Sequence, residues 1–172
     1  MNIRLAGICE DSIVDGPGFR CTIFVQGCPH NCEGCHNPQT HDFFGGYVTS
    51  TDEILKSIEE NPLLDGVTFS GGEPFCQAKQ LAYLGNQIKS LNLNLDIIVY
   101  TGFTFEYLLK NANQDNGYLE LLKVADMLVD GKFEIDKQSY DLVFRGSSNQ
   151  RFIDCQKSLK SKKVVKQKLI NV

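Results

Sequence analysis

The chain has 172 residues, of which 42% are hydrophobic, and its formal net charge at pH 7 is −4. That length fits one domain with a substantial core, while no apolar run approaches the roughly 18 residues of a membrane span and no signal-peptide pattern opens the chain. We therefore expect a cytoplasmic protein with no membrane partner, and the acidic balance argues against a nucleic-acid partner.

The first predicted element is a strand at residues 19–26, rich in aromatic and β-branched side chains. It leads directly into a loop that carries Cys28, Cys32 and Cys35 in the spacing C-x3-C-x2-C. Three thiolates can hold three corners of a cubic iron–sulfur cluster, whereas an electron-transfer cluster normally takes four cysteines. Because one iron is left without a protein ligand, the loop predicts a cluster that binds a substrate or cofactor.

Strand patterns alternate with helical patterns along the rest of the chain. Four strands and one further candidate are predicted at residues 19–26, 66–70, 95–100, 126–129 and 140–144. Helices are predicted from a cap at Ser50 onward and at residues 77–91, 104–111 and 117–124. Such alternation implies parallel strands with right-handed crossovers. A closed eight-stranded barrel needs about 250 residues, so we predict an α/β fold that forms a partial, open β/α barrel.

Three of the predicted strands are followed by residues suited to a ligand site. The first of these strands ends at Gly71–Glu73, where glycines let main-chain atoms approach a ligand closely and Glu73 either touches the ligand or holds the loop. Thr101 follows the next strand, and Asp130 and Lys132 follow the one after it. Because ligands of parallel sheets bind beyond the carboxyl ends of the strands, we expect these residues to converge beside the cysteine loop.

The chain closes on a run of lysines with no acidic residue among them. Six of the 17 basic residues lie there: Lys157, Lys160, Lys162, Lys163, Lys166 and Lys168. We predict one folded domain at residues 1–156 and a lysine-rich tail at residues 157–172. The tail is either a solvated extension or a docking arm for an acidic partner or nucleic acid.

The cysteine loop resembles the signature of the radical S-adenosylmethionine (SAM) superfamily. Asp15–Arg20 and Ser70–Pro74 resemble segments of the glycyl-radical-activating enzymes, and the short chain with residues 144–151 resembles the activating proteins of anaerobic ribonucleoside-triphosphate reductase. The resemblance runs from about residue 1 to residue 155. It implies a radical SAM fold with a 4Fe–4S cluster whose open iron binds the amino and carboxylate groups of SAM. An electron from the reduced cluster would then cleave a carbon–sulfur bond, and the resulting 5′-deoxyadenosyl radical would remove a hydrogen atom from a glycine of the reductase.

The resemblance also implies the residues of the site. The cluster ligands would be Cys28, Cys32 and Cys35, and no side chain would be catalytic, because the cluster and SAM carry the chemistry. The implied cofactor contacts are Gly34, Cys35, His36, Gly71, Gly72, Glu73, Thr101, Asp130 and Lys132. Lys132 would pair with the SAM carboxylate. Gly34 stands where the superfamily often has an aromatic residue, so adenine packing would fall to another group such as His36.

The implied partners are the glycine loop of anaerobic ribonucleoside-triphosphate reductase and, as electron donor, reduced flavodoxin or ferredoxin. Two other enzymes fit the same residues: an activase of a pyruvate formate-lyase-like enzyme, and a small-molecule radical SAM enzyme. A structural zinc site in an interaction module is the non-enzyme alternative, with His30, His36 or His41 as fourth ligand. Residues 15–18 are either a turn or a rim for the partner, and residues 145–151 either a capped turn or a contact to the ribose or partner.

Overall fold

The computed structural model of the protein describes residues 1–91 and 93–167. The strands of this part are β1 Asn2–Ser12, β2 Arg20–Val25, β3 Tyr47–Ser50, β4 Gly66–Gly71, β5 Asp96–Tyr100, β6 Met127–Asp130 and β7 Arg151–Asp154. The α-helices are α1 Thr51–Glu59, α2 Ala78–Ser90, α3 Phe105–Asn111, α4 Tyr118–Val124 and α5 Cys155–Ser161. All of these strands belong to one sheet.

The sheet has the strand order β3-β1-β2-β4-β5-β6-β7. Its centre is parallel, since β2, β4, β5 and β6 pair in parallel as neighbours. Antiparallel strands flank this centre: β1 pairs with β2 and β3 on one side, and β7 pairs with β6 on the other. Among the described residues the two edge strands do not pair with each other, so the predicted open α/β barrel is confirmed.

The helices form because their apolar residues repeat at helical spacing, and side chains cap the first turns of α1, α3 and α5. Ser50 and Glu53 form a reciprocal capping box at the start of α1, and Ile54 and Ile58 of that helix are buried. Helix α2 agrees with the helix predicted at residues 77–91, and its buried residues include Leu81, Leu84 and Ile88. These side chains pack with strand residues such as Ile97 and Val99 in the main core. Ile98, by contrast, belongs to a separate cluster with Val129 and Phe152.

The predicted strand at residues 140–144 is wrong. These residues form turns, Tyr140 and Val143 are exposed, and Phe144 has a left-handed backbone conformation that a strand excludes. The sequence patterns also missed β1, β3 and β7. Their residues are less evenly apolar than those of the parallel strands. These flanking strands are also less completely buried than the parallel centre of the sheet.

The described part of the lysine-rich segment folds against the rest of the chain. Helix α5 crosses the predicted boundary at residue 156, and both Cys155 and Ser158 are buried. After the helix, Val165–Gln167 runs beside β7, where the Asp154 N–H donates to the Val165 carbonyl at 2.9 Å and the Gln167 N–H donates to the Phe152 carbonyl at 2.9 Å. Residues 168–172 of the predicted tail lie outside the described residues. No helix in residues 1–91 or 93–167 combines the length and apolar character that crossing a bilayer requires.

Candidate cluster and cofactor site

An open cavity of about 410 Å³ lies at the carboxyl ends of the parallel strands. Cys28, Cys32 and Cys35 all line it, together with residues that follow β4 and β5. This edge of the sheet is where α/β folds bind ligands, because loops from neighbouring strands meet there. The three cysteines of the C-x3-C-x2-C loop therefore face one shared space.

The cysteine loop is held by main-chain hydrogen bonds on both of its sides. The Gly27 N–H donates to the Thr40 carbonyl at 2.8 Å, and the Cys28 N–H donates to the His41 carbonyl at 3.2 Å. Within the loop, the Cys35 N–H donates to the Cys32 carbonyl at 3.2 Å. These bonds fix the backbone of the loop between β2 and the turn that follows it. The three cysteines therefore line the cavity from a loop of defined conformation.

The donor set fits a 4Fe–4S cluster. Thiolates are the protein ligands of such clusters, and the shared cavity leaves room for a group larger than a single ion. Among the described residues, no three His, Cys, Asp or Glu side chains are grouped so that they could hold one metal ion. Burial raises the pKa of the Cys28 thiol, and the nearby Glu73 carboxylate raises it further.

Glu73 joins the cysteine loop to the ends of β4 and β5. Its side chain is fully buried, and His30 Nε2 lies 2.6 Å from its Oε2 atom. The same carboxylate accepts hydrogen bonds from the Thr101 hydroxyl at 2.8 Å, the Gly102 N–H at 2.9 Å and the Phe75 N–H at 3.0 Å. Because its oxygens already have these protein partners, Glu73 holds the loops that surround the cavity.

Gly71 and Gly72 line the cavity, and close packing requires both of them to be glycine. Gly71 has a φ of +98°, and a Cβ atom there would lie 2.6 Å from the Val25 nitrogen. A Cβ atom on Gly72 would lie 2.4 Å from the Gly27 carbonyl oxygen. The end of β4 thus passes directly against the start of the cysteine loop, which brings its main chain to the cavity wall.

The end of β6 is arranged differently. Asp130 is fully buried and accepts hydrogen bonds from Arg151 Nε at 2.8 Å, Arg151 Nη2 at 2.5 Å and the Phe105 N–H at 2.7 Å. Arg151 also binds the exposed Glu106, and these two acids raise the pKa of its guanidinium. The Lys132 side chain is exposed. Only Gly131 of the Asp-Gly-Lys segment lines the cavity.

The structure divides the predicted cofactor contacts into two groups. The cavity is lined by Cys35, His36, Gly71, Gly72 and Thr101. The residues that do not line it are Gly34, Glu73, Asp130 and Lys132. His36 lies against Phe133, with ring centroids 5.1 Å apart.

Several residues of the cavity wall are not among the predicted cofactor contacts. They are contributed by loops: Val14, Asp15, Gly102, Phe133, Phe144, Arg145 and Gln150. Arg145 and Gln150 lie in the segment 145–151, for which the sequence left open a capped turn or a contact to the ribose or partner. Asp15 lies in the segment 15–18, predicted as a turn or a rim for the partner. For Phe133 the sequence offers no signal beyond its position after the Asp-Gly-Lys segment.

Comparison with known proteins supports the reading of the cysteine loop. The family model of the 4Fe–4S single cluster domain matches residues 14–153. The chain is 37% identical over 145 residues to the anaerobic ribonucleoside-triphosphate reductase-activating protein of Pasteurella multocida, which covers 80% of this chain and 89% of the relative. Proteins of the same name from Escherichia coli K12 and phage T4 are each 35% identical, over 80% of this chain and 90% and 85% of their own. The crystal structure of QueE from Escherichia coli matches with a TM-score of 0.47 and 16% identity, over 76% of this chain and 70% of QueE, a likeness too distant to assign an activity.

Proposed function

The chain belongs to the 4Fe–4S single cluster domain family and to the family of the anaerobic ribonucleoside-triphosphate reductase-activating proteins, and we propose that it activates such a reductase by forming a radical on one of its glycines. One observation carries the proposal. The three cysteines of the C-x3-C-x2-C loop line a single open cavity at the sheet edge, in a chain that matches these activating proteins over 80% of its length. No observation favours the pyruvate formate-lyase-type activase, the small-molecule enzyme or the zinc module over this function.

In this proposal Cys28, Cys32 and Cys35 hold three irons of the cluster. When bound, the cluster supplies the electron that cleaves SAM, and the radical that SAM yields takes a hydrogen atom from a glycine. Gly71 and Gly72 both lie on the cavity wall, and in this proposal their main-chain oxygens accept hydrogen bonds from the SAM ammonium group. Thr101 and His36 line the same space, and His36 with Phe133 provides ring surface for the adenine.

The open side of the cavity suits a protein substrate. Val14 lies on the wall with 72% of its surface exposed, and Phe144 is another wall residue. A glycine has no Cβ atom, so an extended loop can bring its Cα into a narrow site. The Cα–H bond is a suitable target because the radical is delocalised over both flanking peptide groups.

We place this activity in the cytoplasm, with reduced flavodoxin or ferredoxin as electron donor. All seven cysteines are free, as expected where thiols stay reduced. A cluster that must be reduced before it acts requires a low-potential donor protein, and both donors meet that requirement.

The activity is tested by mixing the anaerobically reconstituted protein with a candidate reductase, SAM and dithionite. A glycyl-radical signal in the paramagnetic resonance spectrum, with one 5′-deoxyadenosine formed per radical, is the expected result. Formation of 5′-deoxyadenosine without any radical on the reductase would contradict the proposed partner.

The cluster itself is tested by substitution of its ligands. Cys28→Ala, Cys32→Ala and Cys35→Ala should each lose the intact cluster, whereas the wild-type protein should bind about four irons per chain. Cys9→Ala and Cys76→Ala are the matched controls, since neither cysteine lines the cavity, and both should keep full iron content. Full iron content in all three loop variants would disprove the assignment.

A further inference from the structure

Arg145 is the one permanently cationic side chain on the cavity wall in the described part of the chain. The other basic side chains of the wall are the imidazoles of His30, His36 and His41. Lys132, which the sequence suggested as the partner of an anion, has an exposed side chain and does not line the cavity. A ligand that brings a negative charge into this space therefore meets Arg145.

The backbone that carries Arg145 is held in an unusual conformation. Phe144 has a φ of +55°, which is rare for a bulky residue and is maintained only where the surrounding structure holds it. The Tyr100 hydroxyl donates to the Phe144 carbonyl at 2.8 Å, and the N–H groups of Gly146 and Ser147 donate to Gln150 Oε1 at 2.9 and 3.1 Å. Bonds on both sides of Arg145 thus fix its position on the wall.

The guanidinium of Arg145 keeps most of its hydrogen-bonding capacity. Nη1 donates to the Gln150 carbonyl at 2.8 Å, and the group lies 5.9 Å from the centroid of the Phe152 ring. Within residues 1–91 and 93–167 no carboxylate forms an ion pair with it. An arginine has five N–H donors, so donors remain for a ligand. Arg151, six residues later at the start of β7, has its donors bound to Asp130 and Glu106 instead.

We propose that Arg145, and not Lys132, binds the carboxylate of SAM. This assignment rests on the proposed function, in which SAM occupies the cavity. SAM carries one carboxylate, and a planar guanidinium matches a carboxylate with two parallel hydrogen bonds, which a lysine ammonium does not. The ring of Phe152 and the Gln150 carbonyl hold the guanidinium in place before the ligand arrives, so less side-chain freedom is lost on binding.

The test is equilibrium binding of SAM to the anaerobically reconstituted, oxidised protein, in which SAM is not cleaved. Arg145→Gln and Lys132→Gln each remove one positive charge and form a matched pair. We expect Arg145→Gln to weaken binding by about 10- to 100-fold, the range for a hydrogen-bonded charged group, and Lys132→Gln to change it less than twofold. Decarboxylated SAM provides the second arm: Arg145→Gln should leave its affinity unchanged, because the analogue lacks the group that Arg145 binds.

Each outcome decides the assignment. Equal SAM affinity of wild type and Arg145→Gln, a larger loss in Lys132→Gln, or an equal loss for SAM and decarboxylated SAM would overturn it. If Arg145→Gln fails to hold four irons, Arg145→Lys replaces it, and an unchanged SAM affinity in that variant overturns the assignment as well. A wild-type protein that holds the cluster but binds no SAM would instead overturn the proposed function, and the assignment with it.

Discussion

The ends of β4 and β6 both present a fully buried carboxylate, yet the two carboxylates have different partners. Glu73, after β4, contacts His30 of the cysteine loop and accepts from Thr101 and neighbouring main-chain N–H groups. Asp130, at the end of β6, accepts two bonds from Arg151 of β7 and one from the Phe105 N–H at the start of α3. Glu73 thus connects the sheet to the cluster loop, whereas Asp130 connects it to the edge strand and a helix.

This difference shows what acidic residues at strand ends do in this fold. A buried carboxylate is costly unless hydrogen bonds replace its water, and both residues have those bonds from the protein itself. Neither lines the cavity. An acid that follows a strand at the ligand edge can therefore be required for the shape of the site without touching the ligand.

The largest effect is expected for Glu73→Gln. The amide has one acceptor oxygen where the carboxylate has two, and its NH₂ group would face donors, so buried donors lose their partner. We expect the free energy of unfolding of the metal-free protein to fall by about 3 kcal/mol, measured by denaturant titration. Because His30 would lose its contact, iron uptake on reconstitution should also fall.

Glu33→Gln is the matched control for this change. Glu33 lies on the cysteine loop that Glu73 contacts, and the Glu33 side chain is exposed. Its substitution should alter the free energy of unfolding by less than about 0.5 kcal/mol, as is usual for surface positions. Equal stability of the Glu73→Gln and Glu33→Gln proteins would show that Glu73 does not anchor the loop.

A smaller effect is expected at β6, where two acids share Arg151. The Asp130 side chain is 1% exposed and the Glu106 side chain 59% exposed. Asp130→Asn should lower the free energy of unfolding by about 2 kcal/mol, because a buried charged bond is lost while Arg151 keeps Glu106. Glu106→Gln should cost under about 1 kcal/mol, since water screens an exposed pair. Denaturant titration of both variants measures the contrast, and equal losses would contradict it.

The centre of the fold could be predicted from sequence because its strands are buried on both faces. β2, β4, β5 and β6 are short segments rich in apolar and β-branched residues and are followed by or end in glycine or polar residues, and the helices between them repeat apolar residues at helical spacing. The flanking strands could not be found in this way. β1 contains Glu10 and Asp11 and has shifts in its pairing register, so it shows neither a continuous apolar run nor a clean alternation.

The candidate site was predictable where spacing alone carries the chemistry, as in the cysteine loop. The site was less predictable where a residue's contact with the cavity depends on the direction of its side chain at the end of a strand. Asp130 turns to the Phe105 N–H, and Lys132, two residues later, is exposed. Arg145 reaches the cavity from a loop whose shape depends on the Tyr100 hydroxyl and the Gln150 side chain, which are distant contacts that no local pattern reveals.

A third carboxylate, Asp154 at the far end of β7, extends the comparison to a weaker case. It caps α5: its side chain accepts from the Lys157 N–H at 2.9 Å and pairs with Lys157 Nζ at 2.9 Å. Its side chain is 17% exposed, so its bonds compete with water more than those of Glu73 or Asp130 do. Asp154→Ala should lower the free energy of unfolding by about 1 kcal/mol, the usual contribution of a helix cap, and Asp154→Asn by less because asparagine also caps helices.

The pH dependence of this effect has a definite sign. The hydrogen bonds from Lys157 lower the pKa of Asp154 below its ordinary value. Because the folded-state pKa is the lower one, the stabilisation is complete above the pKa of the unfolded chain, about 3.9, and disappears as the pH falls through the folded-state value. The stability difference between wild type and Asp154→Asn, measured by denaturant titration from pH 7 downward, should therefore be largest near neutral pH and shrink in acid. A difference that grows in acid would mean that the folded state holds Asp154 protonated. Asp154 would then not be the weakest of three ionised carboxylates, after Glu73 and Asp130, that stabilise the fold.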